Sequence, residues 1–377
     1  MRVREKPTVS LTIFCACLTL LCTEAGAGAL DYWRIKFDAN DPGPADLDVQ
    51  SRDSGKLAWG ASYQLESYVV MYEATGNTKY LEEAALNIDI EFTSAANNGW
   101  QWTTATYSID QTTQYAYTVH DGMILTPIAE FVRIVEADQP KLAAFKSSAD
   151  RYLRIIKKHF AHKWDPQWVL LDDGRGLFVL PAWDTQYDGL HPGISLPYNQ
   201  SEAFGRFLFR LFQITGDTAY RDKAVALANT LKSAISLKHG CCEVWNYAGD
   251  LLATDGPRYM PVSDISHANI DIAFVQDLAR QGMVFTAADV DQIAATFMRY
   301  VYDATAVEVH PYLDGTGDLN LHGYNNFTHW AGLAGTNRHL NRALIALFNN
   351  PAVKMSRSNY ELAVANMALS HAHSGSP

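Results

Sequence analysis

The chain reads as all-α: an (α/α) toroid built from helical hairpins, closed or incomplete, with one short β-hairpin. Three observations predict this. First, Tyr72-Glu73-Ala74-Thr75-Gly76-Asn77-Thr78-Lys79-Tyr80 resembles Phe212-Gln213-Ile214-Thr215-Gly216-Asp217-Thr218-Ala219-Tyr220, and in both copies Thr-Gly-Asn/Asp stops one helix and starts another. Second, apolar helical stripes begin near residues 60, 120, 200, 267 and 329, each followed by a more polar helix. Third, strand signals are sparse: Trp168-Val169-Leu170-Leu171 and Leu177-Phe178-Val179-Leu180 flank Asp172-Asp173-Gly174 and read as a hairpin. Repeated hairpins bury their stripes by closing into a ring; an open helical solenoid is the alternative.

The elements follow in order. The first inner helix begins near Trp59. From His120 to Val135, Ile124, Ile128, Phe131, Val132 and Val135 keep helical spacing; after Gln139-Pro140 a second helix runs to about His162. From Gln200, Phe204, Phe207, Leu208, Leu211 and Phe212 form a continuous stripe. His267 to Arg280 and a helix from about Thr286, whose Thr286-x-x-Asp289 looks like a capping box, make a fourth pair. The fifth begins near Thr328 and continues through Leu340 to Phe348.

With 377 residues, 48% hydrophobic and 19% charged, the chain is too apolar for a disordered protein. Its net charge of −11 argues against nucleic acid as a partner. Arg2, Arg4 and Lys6 precede the apolar run Val9–Cys22 and the small residues Ala25 to Ala29, the order of a secretory signal. Cleavage is expected after Ala29, giving a signal peptide over 1–29 and one catalytic domain over 30–377, secreted, free of the membrane and monomeric. Cys15, Cys17 and Cys22 leave with the signal. Cys241 and Cys242 remain, as a vicinal bridge or as two thiols, so this is not a disulfide scaffold.

Chemistry concentrates at the starts of the inner helices, around Trp59, His120, Asn199-Gln200, His267 and His329-Trp330. In a toroid those starts converge on one mouth, and helix N-termini carry partial positive charge. Neighbouring segments add Trp183-Asp184-Thr185-Gln186-Tyr187-Asp188 and His191, Arg258-Tyr259, and His322-Gly323-Tyr324-Asn325-Asn326. Aromatic platforms with scattered polar groups suit sugar rings. Trp59, His120, Trp183, Gln200, His329 and Trp330 are therefore expected to bind substrate. Asp318, His322 and His329 lie close in sequence but match no metal-ligand spacing, and there is no P-loop, dinucleotide fingerprint or Gly-x-Ser-x-Gly elbow. No cofactor is expected, with a divalent cation left open.

Asn199, His267, Arg258 and Tyr259 or Tyr324 resemble the Asn/His/Tyr/Arg sets of toroidal uronan lyases such as alginate and glucuronan lyases. The general pattern is most similar to polysaccharide lyase family 38. That resemblance implies β-elimination on an acidic polysaccharide. Asn199 and Arg258 would hold the uronate carboxylate, His267 would be the base, Tyr259 or Tyr324 the acid, and His120 would position or neutralise substrate. Asn199-Gln200-Ser201 and Asn326-Phe327-Thr328 are glycosylation sequons, and a glycan on Asn199 would exclude it from that role; burial would keep it bare. Three alternatives remain. A toroidal glycoside hydrolase would draw a carboxylate pair from Asp121, Asp184, Asp188, Glu202, Asp264 and Asp271. In it, His267 and Asp271 at i, i+4 would also suit an orienting pair. A uronate C5-epimerase would use nearly the lyase groups, and a non-catalytic sugar-binding repeat would need none of them.

Overall fold

Twin Thr-Gly turns set the repeat of the architecture. The computed structural model describes residues 28–43, 49–108, 110–180, 193–249, 261–320 and 325–374. In it the helix Ser62–Thr75 stops at Gly76 (φ 68°) and the helix Tyr198–Thr215 stops at Gly216 (φ 71°). Thr75 Oγ1 donates to Met71 O and accepts from Asn77 N; Thr215 Oγ1 does the same with Leu211 O and Asp217 N. A left-handed glycine thus closes each helix and a hydroxyl satisfies a terminal carbonyl, so the next helix starts at once and runs back.

Helix α1 covers 28–38. Helix α2 opens at Ser54–Lys56, passes through a π turn at Leu57–Ala61 and continues as Ser62–Thr75. There follow α3 (Lys79–Ala96), α4 (Thr118–Ala137), α5 (Lys146–His159), α6 (Tyr198–Thr215) and α7 (Thr218–Ala234). Then come α8 (Ile265–Ala279), α9 (Ala287–Thr296, extended by a π turn at Phe297–Val301), α10 (Arg338–Asn349) and α11 (Arg357–Ser374). The expected capping box is present at Thr286 and Asp289. The expected hairpin pairs β1 (Trp168–Leu170) with β2 (Gly176–Phe178), Trp168 opposite Phe178. Two further hairpins join β3 (Ser236–Lys238) to β4 (Cys242–Val244) and β5 (Tyr302–Asp303) to β6 (Glu308–Val309). Cys241 and Cys242 form a vicinal disulfide in the β3–β4 turn.

Side-chain contacts trace the ring. Ser54 on α2 meets His120 on α4 at 2.8 Å, and Glu73 meets Arg133 at 2.8 Å near the other ends of the same helices. Arg210 on α6 reaches Glu130 on α4 and Asp277 on α8. Trp330 Nε1 donates to Ile265 O of α8 at 3.2 Å, Asn366 Nδ2 of α11 donates to Thr328 O at 3.0 Å, and α11 packs on α2. Starts meet starts and ends meet ends, so the inner elements run parallel. Helices α3, α5, α7, α9 and α10 lie outside, with α1 completing the outer layer: Trp33 packs on Phe348 and His371, and Phe37 on Tyr68 and Tyr80.

The toroid expected from sequence is the observed fold, with two corrections. Among the described residues there is a sixth hairpin, α11 with α1, made from the two ends of the chain. The fifth inner element is not a helix: residues 328–336 form turns with a 3-10 turn at Ala331–Leu333, and α10 starts only after the Asn337 cap. Gly332 lets this segment approach α8. A Cβ there would lie 2.9 Å from Gln276 Oε1, so this backbone packs flat against α8.

Helices α4 and α6 cross closely because Gly122 has no side chain; a Cβ there would fall into the backbone of Ala203 and Phe204. Gly122→Ala is therefore expected to cost about 3 kcal/mol, the upper part of the overpacking range. Urea denaturation measures it, and a cost below about 1 kcal/mol would mean the crossing is looser than this.

No helix among the described residues is long and apolar enough to cross a membrane. Of the expected leader over 1–29, residues 1–27 lie outside the described residues.

Candidate active site at the inner-helix starts

Asp264 is the residue around which one side of the mouth is organised. As the cap of α8 it accepts from Ser266 N at 2.9 Å and His267 N at 3.0 Å, and its second oxygen meets His267 Nδ1 at 2.5 Å. The His267 side chain is 43% exposed, and the Tyr247 ring lies 4.7 Å from it. Burial alone would lower the His267 pKa, but the bond to Asp264 and the charges of Asp264 and Asp271 outweigh it and raise it. A turn deeper, Asp271 Oδ2 accepts from Trp245 Nε1 at 2.7 Å, and Asp271 is hydrogen-bonded to Glu202 on α6. Burial pushes Asp271 up to about 6. Burial, then the neighbouring Asp271 charge, pushes Glu202 well above the ordinary carboxylic range. Burial and the nearness of a second carboxyl group thus both favour the protonated form, most strongly at Glu202.

Two buried polar atoms at the start of α6 have no hydrogen-bond partner: Asn199 Oδ1 and Ser201 Oγ. Buried polar atoms are nearly always paired, so such a group calls for water or a polar ligand. A cavity of about 10 Å³, the space of one water, is lined by Tyr198, Ser201 and Glu202.

On the α2–α4 side, His120 Nδ1 bonds Ser54 Oγ at 2.8 Å beneath Trp59, Tyr107 and Tyr117, whose rings lie 5.4, 5.7 and 5.0 Å away. Burial depresses the His120 pKa to about 3, so it is neutral and neutralises no substrate charge, which corrects one of its two expected roles. Trp59 sits on the π turn, half-buried, its Nε1 donating to Tyr107 OH at 2.9 Å. Such turns are frequent at functional sites. Tyr107, exposed at the rim, escaped the sequence reading; the aromatic density between Trp100 and Tyr117 was the available signal.

Other candidates fall elsewhere. His329 is deep in the ring, its Nε2 on Glu66 at 3.0 Å and its Nδ1 beside Asn269 at 3.1 Å. Trp330, expected at the substrate, is fully buried against Phe297 and offers no face to a sugar. Asn199 and Gln200 are buried on α6, and Asn326 is buried with Nδ2 donating to Tyr63 OH, so neither sequon presents its amide. Asp121 is sealed in an ion pair with Lys163 at 2.7 Å and is structural. The orienting partner of His267 is Asp264, not Asp271. Trp183, Asp184, Asp188, His191, Arg258, Tyr259, His322 and Tyr324 lie outside the described residues. Among the described residues no three His, Cys, Asp or Glu side chains are grouped to hold a metal ion.

No family model matches the chain, and no curated protein matches it. Solved structures do. An inactive variant of an α-1,6-mannanase of glycoside hydrolase family 76 from Salegentibacter sp. HEL1_6, in complex with α-1,6-mannotriose, superimposes with a TM-score of 0.52 at 14% identity, over 84% of this chain and 89% of that one. A second inactive variant, with α-1,6-mannotetrose, gives 0.51 at 14% identity over 84% and 88%. The ring is one that glycoside hydrolases use. At this identity the likeness is one of fold. It overturns the expected kinship with polysaccharide lyase family 38 and the β-elimination drawn from it, because the matching rings belong to hydrolases.

Proposed function

We propose that the chain is a secreted glycoside hydrolase acting on a neutral polysaccharide of α-mannan type at the mouth of the ring. The observation that carries this is the buried Glu202–Asp271 pair, two carboxyl groups facing each other on neighbouring inner helices, where burial and the Asp271 charge favour a proton on Glu202. Glycoside hydrolysis needs such an acid for the leaving oxygen and a second carboxylate to activate water or stabilise the developing cation. Hydrogen-bonded partners stand closer than the two catalytic groups of a glycosidase, so Glu202 and Asp271 act as one acid. Asp264, two turns above Asp271 and roughly 10 Å along the helix axis by rise alone, is the second carboxylate. His267 ties Asp264 to the mouth, and Trp59 and Tyr107 give the sugar an apolar face to stack on. In the mannanase neighbours the inactive variants carry two adjacent aspartates replaced. The adjacent aspartates here, Asp172 and Asp173, are exposed in the β1–β2 turn; the proposed acid and second carboxylate lie instead on α6 and at and within α8.

Incubation with α-1,6-mannan is expected to release reducing ends without ultraviolet absorbance from a C4–C5 double bond. The pH profile should fall on its alkaline side as the acid of the pair loses its proton. Absorbance, or no new reducing ends from any neutral α-glycan, would remove the hydrolase reading.

A further inference from the structure

At the end of the ring opposite the mouth lies a pit of 390 Å³ walled by the later turns of α2, α4, α6, α8 and α11. Glu66, Arg206 and His329 form its floor, and Arg280, Gln281 and His373 stand at its rim. The Arg280 side chain is 58% exposed and that of Arg206 is 7% exposed, so the pit opens outward from a buried base. A second hollow of 260 Å³ shares Arg280, Asn366 and His373 and extends it along α11.

The wall is a chain of charges of alternating sign. Glu73 meets Arg133 at 2.8 Å, Arg133 meets Glu130 at 2.6 Å and Glu130 meets Arg210 at 2.5 Å. Arg210 meets Asp277 at 2.6 Å, Asp277 meets Arg206 at 3.0 Å, Arg206 meets Glu66 at 2.9 Å and Glu66 meets His329 at 3.0 Å. Taking so many charges out of water is expensive, and a well-packed apolar lining would be at least as stable. The retained polarity therefore points to what enters. An anion entering the pit meets carboxylates and a cation meets guanidinium groups, so neither is favoured. Guanidinium donors and carboxylate acceptors alternate along the wall, a pattern complementary to vicinal hydroxyls, each of which gives one hydrogen bond and takes another. The volume is within the range of about 300–1,000 Å³ for small-molecule pockets.

We propose that this pit is a second binding site, for a small neutral polyhydroxyl ligand of mono- or disaccharide size. The wall chemistry alone carries this, independently of the activity assigned to the mouth. Calorimetric titration of the full chain with mannose and with α-1,6-mannobiose should show saturable binding that persists in Trp59→Ala, which removes the stacking face of the mouth. Ala273, buried on α8 and lining the pit, becomes an obstruction in Ala273→Phe, and Gln281→Trp narrows the exposed rim without touching the core. Each is expected to weaken that binding at least tenfold; should Ala273→Phe fail to fold, Gln281→Trp decides. No saturable binding, unchanged affinity in the folded pit variants, or sulfate binding in preference to sugar would each overturn the proposal.

Discussion

Glu202→Gln is expected to lower kcat on α-mannan by at least a thousandfold while leaving KM within a few-fold, because the amide keeps the shape and loses the proton. Asp264→Asn should lose comparable activity and also drop the His267 pKa, visible by NMR as an imidazole titration whose midpoint moves to lower pH. The stability of Glu202→Gln moves the opposite way. A carboxyl whose pKa is raised by folding contributes stability that is full below its unfolded value, about 4.3, and lost as pH rises through the folded value. Burial and the Asp271 charge raise Glu202, so the wild type weakens toward alkaline pH and the glutamine variant, which cannot ionise, weakens less. An active Glu202→Gln enzyme, or one that weakens as steeply as the wild type with alkali, would remove Glu202 from its assigned role.

Arg206→Met is expected to cost about 3–5 kcal/mol at pH 7, the largest stability loss foreseen here, since it strips one guanidinium from both Glu66 and Asp277. Burial alone would raise the Glu66 pKa, but Arg206, with His329, holds it far below the ordinary range. Asp277 is held near 2 against burial by Arg210 and Arg206. For such depressed groups the stability is present above the unfolded pKa and lost as pH falls. The deficit of Arg206→Met should therefore be greatest at neutral pH and narrow below about pH 4, where the unpaired carboxylates take up protons. Urea midpoints at pH 4 and 7 measure this; an equal deficit at both would mean that packing, not charge, is what Arg206 supplies.

The hairpins were readable because their signals are local. Thr75-Gly76 and Thr215-Gly216 state where helices stop, and the Phe204-to-Phe212 stripe states which face is buried. The α11–α1 hairpin was not readable, because its members sit at opposite ends of the sequence. Helix α11 buries Leu362, Ala363, Val364, Ala365, Met367 and Ala368 in succession, which erases the one-sided stripe that marks a surface helix. Residues 328–336 were expected to open the fifth inner helix, but they fold as turns and helix begins only after the Asn337 cap. In the site, Glu202, Asp264 and Asp271 were candidates from sequence. Their connection was not legible: His267 can face i−3 or i+4 equally well on a helix, and only the helix-capping geometry of Asp264 chose. The lyase reading failed because it rested on residue types without spacing. Asn, His, Tyr and Arg gather wherever a protein grips a sugar.

The sixth seam of the circle, α1 against α10 and α11, has a temporal consequence. A translating ribosome delivers α1 first and α11 last, so the circle cannot shut until residue 374 has emerged. Every nascent intermediate is an open arc with two raw apolar faces. A version of the chain lacking either flank would leave uncovered the apolar faces that α1 and α11 bury.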